Sequence, residues 1–215
     1  MGLFTDIVLA SSNAGKIREF SAFFKPYNVR IIPQNELGIK STEEPYSTFI
    51  ENSLAKARNA AKLSGKPALA DDSGICATAL KDAPGIYSAR YSGDNATDAE
   101  NNAKLTQALK NESNRQVWYA CSLVLVRHEK DPSPIIATGT WEGEWIDEAR
   151  GENGFGYDPQ FYLPEYKLTA AEISPSLKNR ISHRGKALLE LMQKIDDLYL
   201  RAGMNIPEKP FYMEL

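Results

Sequence analysis

Two adjacent aspartates, Asp71 and Asp72, follow the apolar run Ala68, Leu69 and Ala70 and precede Ser73 and Gly74. Neighbouring carboxylates repel each other unless a cation, a proton or separate surroundings divides them. Side chains alternate faces along a strand, so a strand carrying both acids sends them to opposite sides. One would then serve a site while the other caps or braces a turn before Gly74. Periodicity leaves open which is which, because the residues ahead of the pair are apolar on both faces. An Asx-type turn at a strand end would also account for the pair.

Three further stretches carry chemistry. In "ASSNAGKI", residues 10–17, a strand that turns through small residues into a helix leaves backbone N–H groups to bind an anion, and Lys16 adds a full positive charge. The P-loop pattern GxxxxGK[ST] fails twice, at Ala10 and at Ile17. Glu43 and Glu44 form an acidic pair in a polar loop. A hard cation such as Mg2+ takes one or two carboxylates and leaves its other positions to substrate phosphates. One acid from this loop and one from the strand would make such a site. With two histidines and two cysteines in the chain, a zinc site is not expected.

The last stretch is "SLKNRISHRGKALLE", residues 176–190. Lys178, Arg180, His183, Arg184 and Lys186 crowd around a helix start expected near Ser182. The helix dipole disfavours cations there, so a bound phosphate or a base rich in carbonyls would offset them. In "GFGYDP", Phe155 and Tyr157 offer flat faces for a nucleobase, and Gly154 and Gly156 permit close backbone approach. Each stretch alone has a plain structural explanation: a polar turn, solvated charges, core aromatics. Together they describe a site for a nucleoside polyphosphate. Covalent catalysis is not expected, since G-x-S-x-G is missing and neither Cys76 nor Cys121 has a convincing histidine partner.

The elements that must position these groups alternate early in the chain. Asp6–Ala10 and Val29–Gln34 read as strands around a helix whose apolar face is Ile17, Phe20 and Phe23/Phe24. Thr48 with Glu51 forms a capping pair for a second helix, stopped by Gly65, and Thr97 with Glu100 opens a third. "VWYACSLVLVRHE" and "PIIATGTWEGEWIDE" pair as a long antiparallel hairpin. "GENGFGYDPQFYLP" reads as a loop. A last helix from about Ser182 presents Leu188, Leu191/Met192, Ile195 and Leu198 on one face. The fold class is α/β with a mixed sheet.

At 215 residues, 42% hydrophobic and 25% charged, the chain is of ordinary globular composition,. One domain with two lobes is expected, since no linker divides it. A net charge of −3 argues against a nucleic-acid polymer as partner,. Two cysteines are too few for a disulfide framework, and "MGLFTDIVLASSN" reads neither as a signal peptide nor as a membrane span. A cytoplasmic setting without membrane attachment is expected.

Six motifs in order, "SSNAGK", "TFIENSLAKA", "ALADDSG", "APGIYSARYSG", "GFGYDP" and "ISHRG", make the chain similar to the inosine/xanthosine triphosphate pyrophosphatase family from Ile7 to about Leu198. The resemblance implies hydrolysis of deaminated purine nucleoside triphosphates (ITP, dITP, XTP) to monophosphate and pyrophosphate. Its alternatives are a related enzyme for other modified nucleotides and a nucleotide sensor that does not hydrolyse. It also implies an elongated α/β fold with a long central mixed sheet flanked by helices, a nucleotide cleft between lobes, a homodimer and dependence on Mg2+. Ser11, Ser12, Asn13, Ala14, Gly15 and Lys16 match the triphosphate-binding turn. Asp72 matches the proton acceptor and metal ligand, Glu43 best matches the loop metal ligand with the adjacent Glu44 as its alternative, and Ser73 matches a substrate contact. Lys56 and Lys16 would supply catalytic positive charge. Phe155, Gly156, Tyr157, Asp158, Lys178, His183 and Arg184 match base and sugar-phosphate contacts. Ser12 departs from the glycine often found in the family, and a tail over residues 204–215 extends past its usual end.

Overall fold

The computed structural model describes residues 3–208; the tail expected over 204–215 lies partly outside them, at 209–215. Seven strands form one sheet in the order β2-β1-β3-β4-β5-β6-β7. They are β1 Asp6–Leu9, β2 Arg30–Pro33, β3 Ala68–Ala77, β4 Gln116–Val126, β5 Ile135–Trp145, β6 Phe161–Leu163 and β7 Leu168–Thr169. β1 pairs in parallel with β2 and β3, whereas β6 pairs antiparallel with β5 and β7. The expected α/β architecture with a mixed sheet is therefore present. The helices are α1 Ala14–Phe24, α2 Phe49–Ser64, α3 Asp98–Leu109, α4 Pro175–Ile181 and α5 His183–Arg201. Among the described residues no helix is long and apolar enough to cross a membrane.

The chain divides into two compact units. The first comprises residues 3–72, 122–137 and 188–208. Its β1 is a parallel strand flanked on both edges, and Ile7, Val8 and Leu9 are fully buried, as a strand covered on both faces requires. α2 packs Ala57, Ala60 and Ala61 against Val8, Ala68, Ala70 and Val124. Small side chains at these helix positions let its backbone approach the sheet. Thr48 caps α2 by accepting the Glu51 N–H, and Gly65 ends it at φ 66°; the reciprocal arm of a capping box is replaced by a Thr48 hydroxyl bond to the Glu51 carboxylate.

The second unit comprises residues 73–121 and 138–187. Its core gathers Leu105, Leu109, Tyr119, Trp141, Trp145, Tyr157 and Phe161. From Ala137 to Trp145 strand β5 alternates buried and exposed residues strictly, the period-2 pattern of a strand with one wet face. Gly139 and Gly143 occupy its buried face. A β-carbon at Gly139 would fall 2.1 Å from the His183 carbonyl oxygen, so glycine is what lets the start of α5 reach the strand. α3 opens with the complete Thr97–Glu100 capping box.

Three expectations change. β3 continues through Asp71 and Asp72 to Ala77, so no turn is braced before Gly74. The segment expected as a loop after Gly151 enters β6 at Phe161. A short helix, α4, precedes α5, and Lys178 and Arg180 lie in its last turn. Positive charge is favourable at a helix C-terminus. These two residues therefore give no electrostatic reason for a bound anion.

Candidate active site

The β1–α1 turn is held by its own side chains. Ser11 Oγ accepts the Asn13 N–H at 3.1 Å, and Asn13, the N-cap of α1, accepts the Lys16 N–H at 3.0 Å. The cap leaves the N–H groups of Ala14 and Gly15 without a helical acceptor, directed out of the helix start where an anion would be stabilised. A β-carbon on Gly15 would press on the capping oxygen of Asn13 at 3.1 Å. Ser12, Asn13, Ala14 and Gly15 are exposed.

Because β3 is unbroken, its two acids separate by parity. Asp72 shares a face with Ala68 and Ala70, the side covered by α2; Asp71 shares the other with Leu69. Lys16 Nζ lies 2.6 Å from Asp71 Oδ1, and the Asp71 side chain is 1% exposed. Lys56, on α2, donates to Asp72 Oδ1 at 3.1 Å and to Glu44 Oε1 at 2.6 Å. The second oxygen of Asp72 is buried and has no hydrogen-bond partner. Burial pushes the Asp72 carboxyl up to about 6, against the opposing pull of Lys56 and with help from the negative charge of Glu44 and Asp71,. Burial disfavours the Lys56 ammonium too, but the attraction of Asp72, Glu44 and Asp71 outweighs it and holds its pKa above the ordinary lysine value.

A cavity of about 390 Å³ opens in the first unit. The turn residues Ser11, Ser12, Asn13 and Lys16 line it together with Asp71, Glu44 and Lys56, and so do Gln34, Ser41, Thr42 and Asn59. Asp72 lies behind Lys56, which lines the cavity and donates to Asp72 Oδ1. The acidic loop contributes Glu44 to the cluster. Glu43, the best match to the loop metal ligand, is exposed, and its neighbour Glu44 accepts the hydrogen bond from Lys56. Adjacent acids look equivalent in a sequence; only the loop's path separates them.

That path is fixed at both ends by residues the sequence reading passed over. Gln34, buried, donates to Ser41 Oγ at 3.0 Å, and its carbonyl accepts the Ile39 N–H. Asn52, 1% exposed on α2, accepts the Tyr46 N–H at 3.1 Å and donates to the Tyr46 carbonyl at 3.3 Å. Asn52 lies one turn before Lys56, so both residues share a helix face. An asparagine on the buried stripe of an alanine-rich helix was the signal that marks it.

In the second unit Asp158, 2% exposed, organises the glycine-aromatic loop. Its Oδ2 accepts the Phe155 N–H at 2.9 Å and the Lys178 ammonium, and Oδ1 accepts the Tyr119 hydroxyl at 3.3 Å. Burial, reinforced by the charge of Asp158, keeps that phenol protonated. Gly154 stands at φ +79°, where a β-carbon would lie 2.2 Å from Asp158 Oδ2. Phe155 is 68% exposed, with Lys178 Nζ 5.3 Å from its ring centroid. Tyr157 is a core residue, its hydroxyl bonded to the Ser88 carbonyl at 2.7 Å. The second stacking face expected of it is therefore turned inward. Gly156 at φ +65° follows Phe155.

His183 begins α5 and stacks on Tyr119 at 4.6 Å and 9°, with Trp141 beyond at 6.3 Å. Arg184 Nη2 lies 3.4 Å from Ser73 Oγ. Gly185 is equally constrained, since a β-carbon there would fall 1.9 Å from the Asn179 carbonyl oxygen. Ser73, Asp158, Lys178, His183 and Arg184 thus sit in one unit, and Ser11 to Lys16, Glu44, Lys56 and Asp72 in the other.

A family model described as the Ham1 family matches residues 7–194. The dITP/XTP pyrophosphatase of Neisseria meningitidis serogroup B is 59% identical over 190 residues, which is 88% of this chain and 96% of the relative. The dITP/XTP pyrophosphatase of Chromobacterium violaceum is 54% identical over 196 residues, 91% of this chain and the whole of the relative. Among solved structures, a HAM1 protein from Coxiella burnetii superposes with a TM-score of 0.87 at 48% identity, covering 90% of this chain and 100% of that one. With the family model matching residues 7–194 and these relatives aligned over nearly nine-tenths of the chain or more, the chain belongs to the Ham1 family.

Proposed function

We propose that this protein hydrolyses deaminated purine nucleoside triphosphates, with ITP, dITP and XTP as substrates, to the nucleoside monophosphate and pyrophosphate. Relatives named dITP/XTP pyrophosphatase at 54–59% identity support the substrate class. The observation that carries the chemistry is the Glu44–Lys56–Asp72 cluster, in which one buried carboxylate oxygen is left unbonded and its acid titrates near 6.

A carboxylate with that pKa is a proton acceptor matched to near-neutral pH. Asp72 takes the proton of a water that attacks the α-phosphorus. The new P–O bond forms as the bond to the bridging oxygen breaks, and pyrophosphate leaves with that oxygen. Lys56 fixes the orientation of Asp72 through Oδ1. Lys16 and the N–H groups of Ala14 and Gly15 neutralise the phosphate charge. Positioning and electrostatics of this kind carry most phosphoryl-transfer catalysis.

Mg2+ fits the donor set. Among the described residues no three His, Cys, Asp or Glu side chains converge to hold a metal by themselves, and magnesium does not need them when substrate phosphates complete its shell. Asp72 and Glu44 would hold it. When bound it supplies charge neutralisation at the phosphates.

Phe155 would stack the base, and donors from His183, Arg184 and Lys178 would meet a 6-oxo group. Adenine presents a donor at that position, and a buried mismatch of this type is rejected strongly. The test is pyrophosphate release from ITP, XTP, dITP, GTP and ATP with Mg2+. The deaminated substrates are expected to lead by roughly 100-fold or more; comparable rates with ATP and ITP overturn the assignment.

A further inference from the structure

The loop that presents Phe155 is gripped from α3 by two side chains one helical turn apart. Asp98 Oδ2 accepts the Gly156 N–H at 2.7 Å, and Asn102 Nδ2 donates to the Gly156 carbonyl at 2.9 Å. Both polar groups of one residue are thereby tied to one helix. We propose that Asp98 and Asn102 are positioning residues that set the angle of the Phe155 ring and, through it, the discrimination among purine bases. The proposal rests on the hydrolytic function given above and names what enforces its selectivity.

Three features support it. Phe155 is largely exposed, and the only ring contact the described residues give it is Lys178, so packing does not orient the ring. Its backbone must do so. Gly154 and Gly156 both adopt left-handed conformations, which glycine reaches at the cost of conformational freedom in an untethered loop. The peptide groups on either side of Phe155 are nevertheless pinned: its own N–H by Asp158, and the next N–H by Asp98.

The clamp is also a poor choice for stability alone. Asn102 is buried, and its Oδ1 has no hydrogen-bond partner. An unsatisfied buried oxygen is costly, so an apolar side chain of similar size would serve the core better. What leucine could not supply is the N–H donated to Gly156. That same amide donates to the Asp98 carbonyl at 2.7 Å, which holds it in place. The Thr97–Glu100 capping box fixes the turn that carries Asp98.

The experiment measures kcat and KM for ITP, XTP, GTP and ATP in the full-length protein and in N102L, D98A and D98N. Asp98 is exposed, so D98A keeps its fold even where N102L does not; melting temperatures confirm which variants are folded. In folded N102L and D98A, KM for ITP is expected to rise roughly tenfold with kcat within about threefold of the parent, and the ITP-to-GTP ratio of kcat/KM to shrink by a similar factor. D98N retains an oxygen acceptor and is expected to restore the ratio. An unchanged ratio in folded D98A overturns the proposal, as does a uniform fall in kcat for all four nucleotides. Failure of the parent protein to hydrolyse ITP would instead refute the underlying function, a separate outcome.

Discussion

Lys56 Nζ lies 3.1 Å from Asp72 Oδ1, and the same ammonium lies 2.6 Å from Glu44. One cation thus holds two carboxylates while the second Asp72 oxygen stays buried and unbonded. Isolated ion pairs at a surface contribute little, but this one fixes the orientation of an acid whose other oxygen is left to react.

The direct consequence concerns turnover. Asp72→Asn keeps the shape and removes the proton acceptor. It is expected to lower kcat by roughly 1,000-fold or more. Nucleotide binding, measured by calorimetry, should persist. Turnover within about tenfold of the parent would show that another group takes the proton.

The same residue predicts a pH dependence of stability. Burial pushes the folded Asp72 carboxyl up to about 6, above the ordinary aspartate value of 3.8 that holds in the unfolded chain. Between those values the folded state binds more protons than the unfolded, so this group's contribution to stability falls as pH rises through that window. Without nucleotide or metal, Asp72→Asn should gain about 1–3 kcal/mol relative to the parent on going from pH 4 to pH 8. Denaturant titrations at the two pH values measure it. A difference independent of pH would place the folded pKa near its ordinary value.

Asn52 is predicted to act through Glu44. Its amide holds both backbone groups of Tyr46, two residues beyond Glu44. Asn52→Ala should reduce kcat/KM at limiting Mg2+ by roughly tenfold, and the loss should fall below about twofold when Glu44→Ala is already present. Additive losses in the double variant would separate Asn52 from Glu44.

Asp131 offers a test away from the site. Its buried carboxylate accepts the Arg127 N–H and Nε at 2.9 and 2.8 Å and the Ser133 N–H at 2.9 Å, tying the turn between β4 and β5. The Arg127 guanidinium bond, with those backbone bonds, holds its pKa far below the usual aspartate range, against the effect of burial. Its stabilisation is therefore present above about pH 4 and lost as pH falls below it. Asp131→Ala should cost roughly 1–3 kcal/mol at pH 7 and less at pH 3, with kcat little changed. An equal cost at both pH values would contradict the ionic origin.

Much of this was legible from residue order. The β1–α1 turn, the capping box at Thr97 and the alternating β5 each follow from a local rule: chain reversal at small residues, orphan N–H groups seeking an oxygen, side chains on two faces. What escaped depended on distant neighbours. Phe155 and Tyr157 are both aromatic, and only Tyr157's reach to the Ser88 carbonyl marks it as core. Glu43 and Glu44 differ by which one the Asn52-held loop turns toward Lys56. Periodicity alone could not assign Asp71 and Asp72 to faces; α2, which covers the face with Ala68 and Ala70, does. The short α4 was not foreseen because the helix start was placed near Ser182, and its presence puts Lys178 and Arg180 at a helix end where their charge is welcome,.

Gly139 and Gly185 carry no functional group, yet a single added methyl would collide with the main-chain oxygen of His183 at the first and of Asn179 at the second. A survey of tolerated substitutions should therefore find these two sites as intolerant as the reacting acids, for steric reasons alone. Two bare α-carbons thus restrict the chain around the start of α5 without touching any substrate.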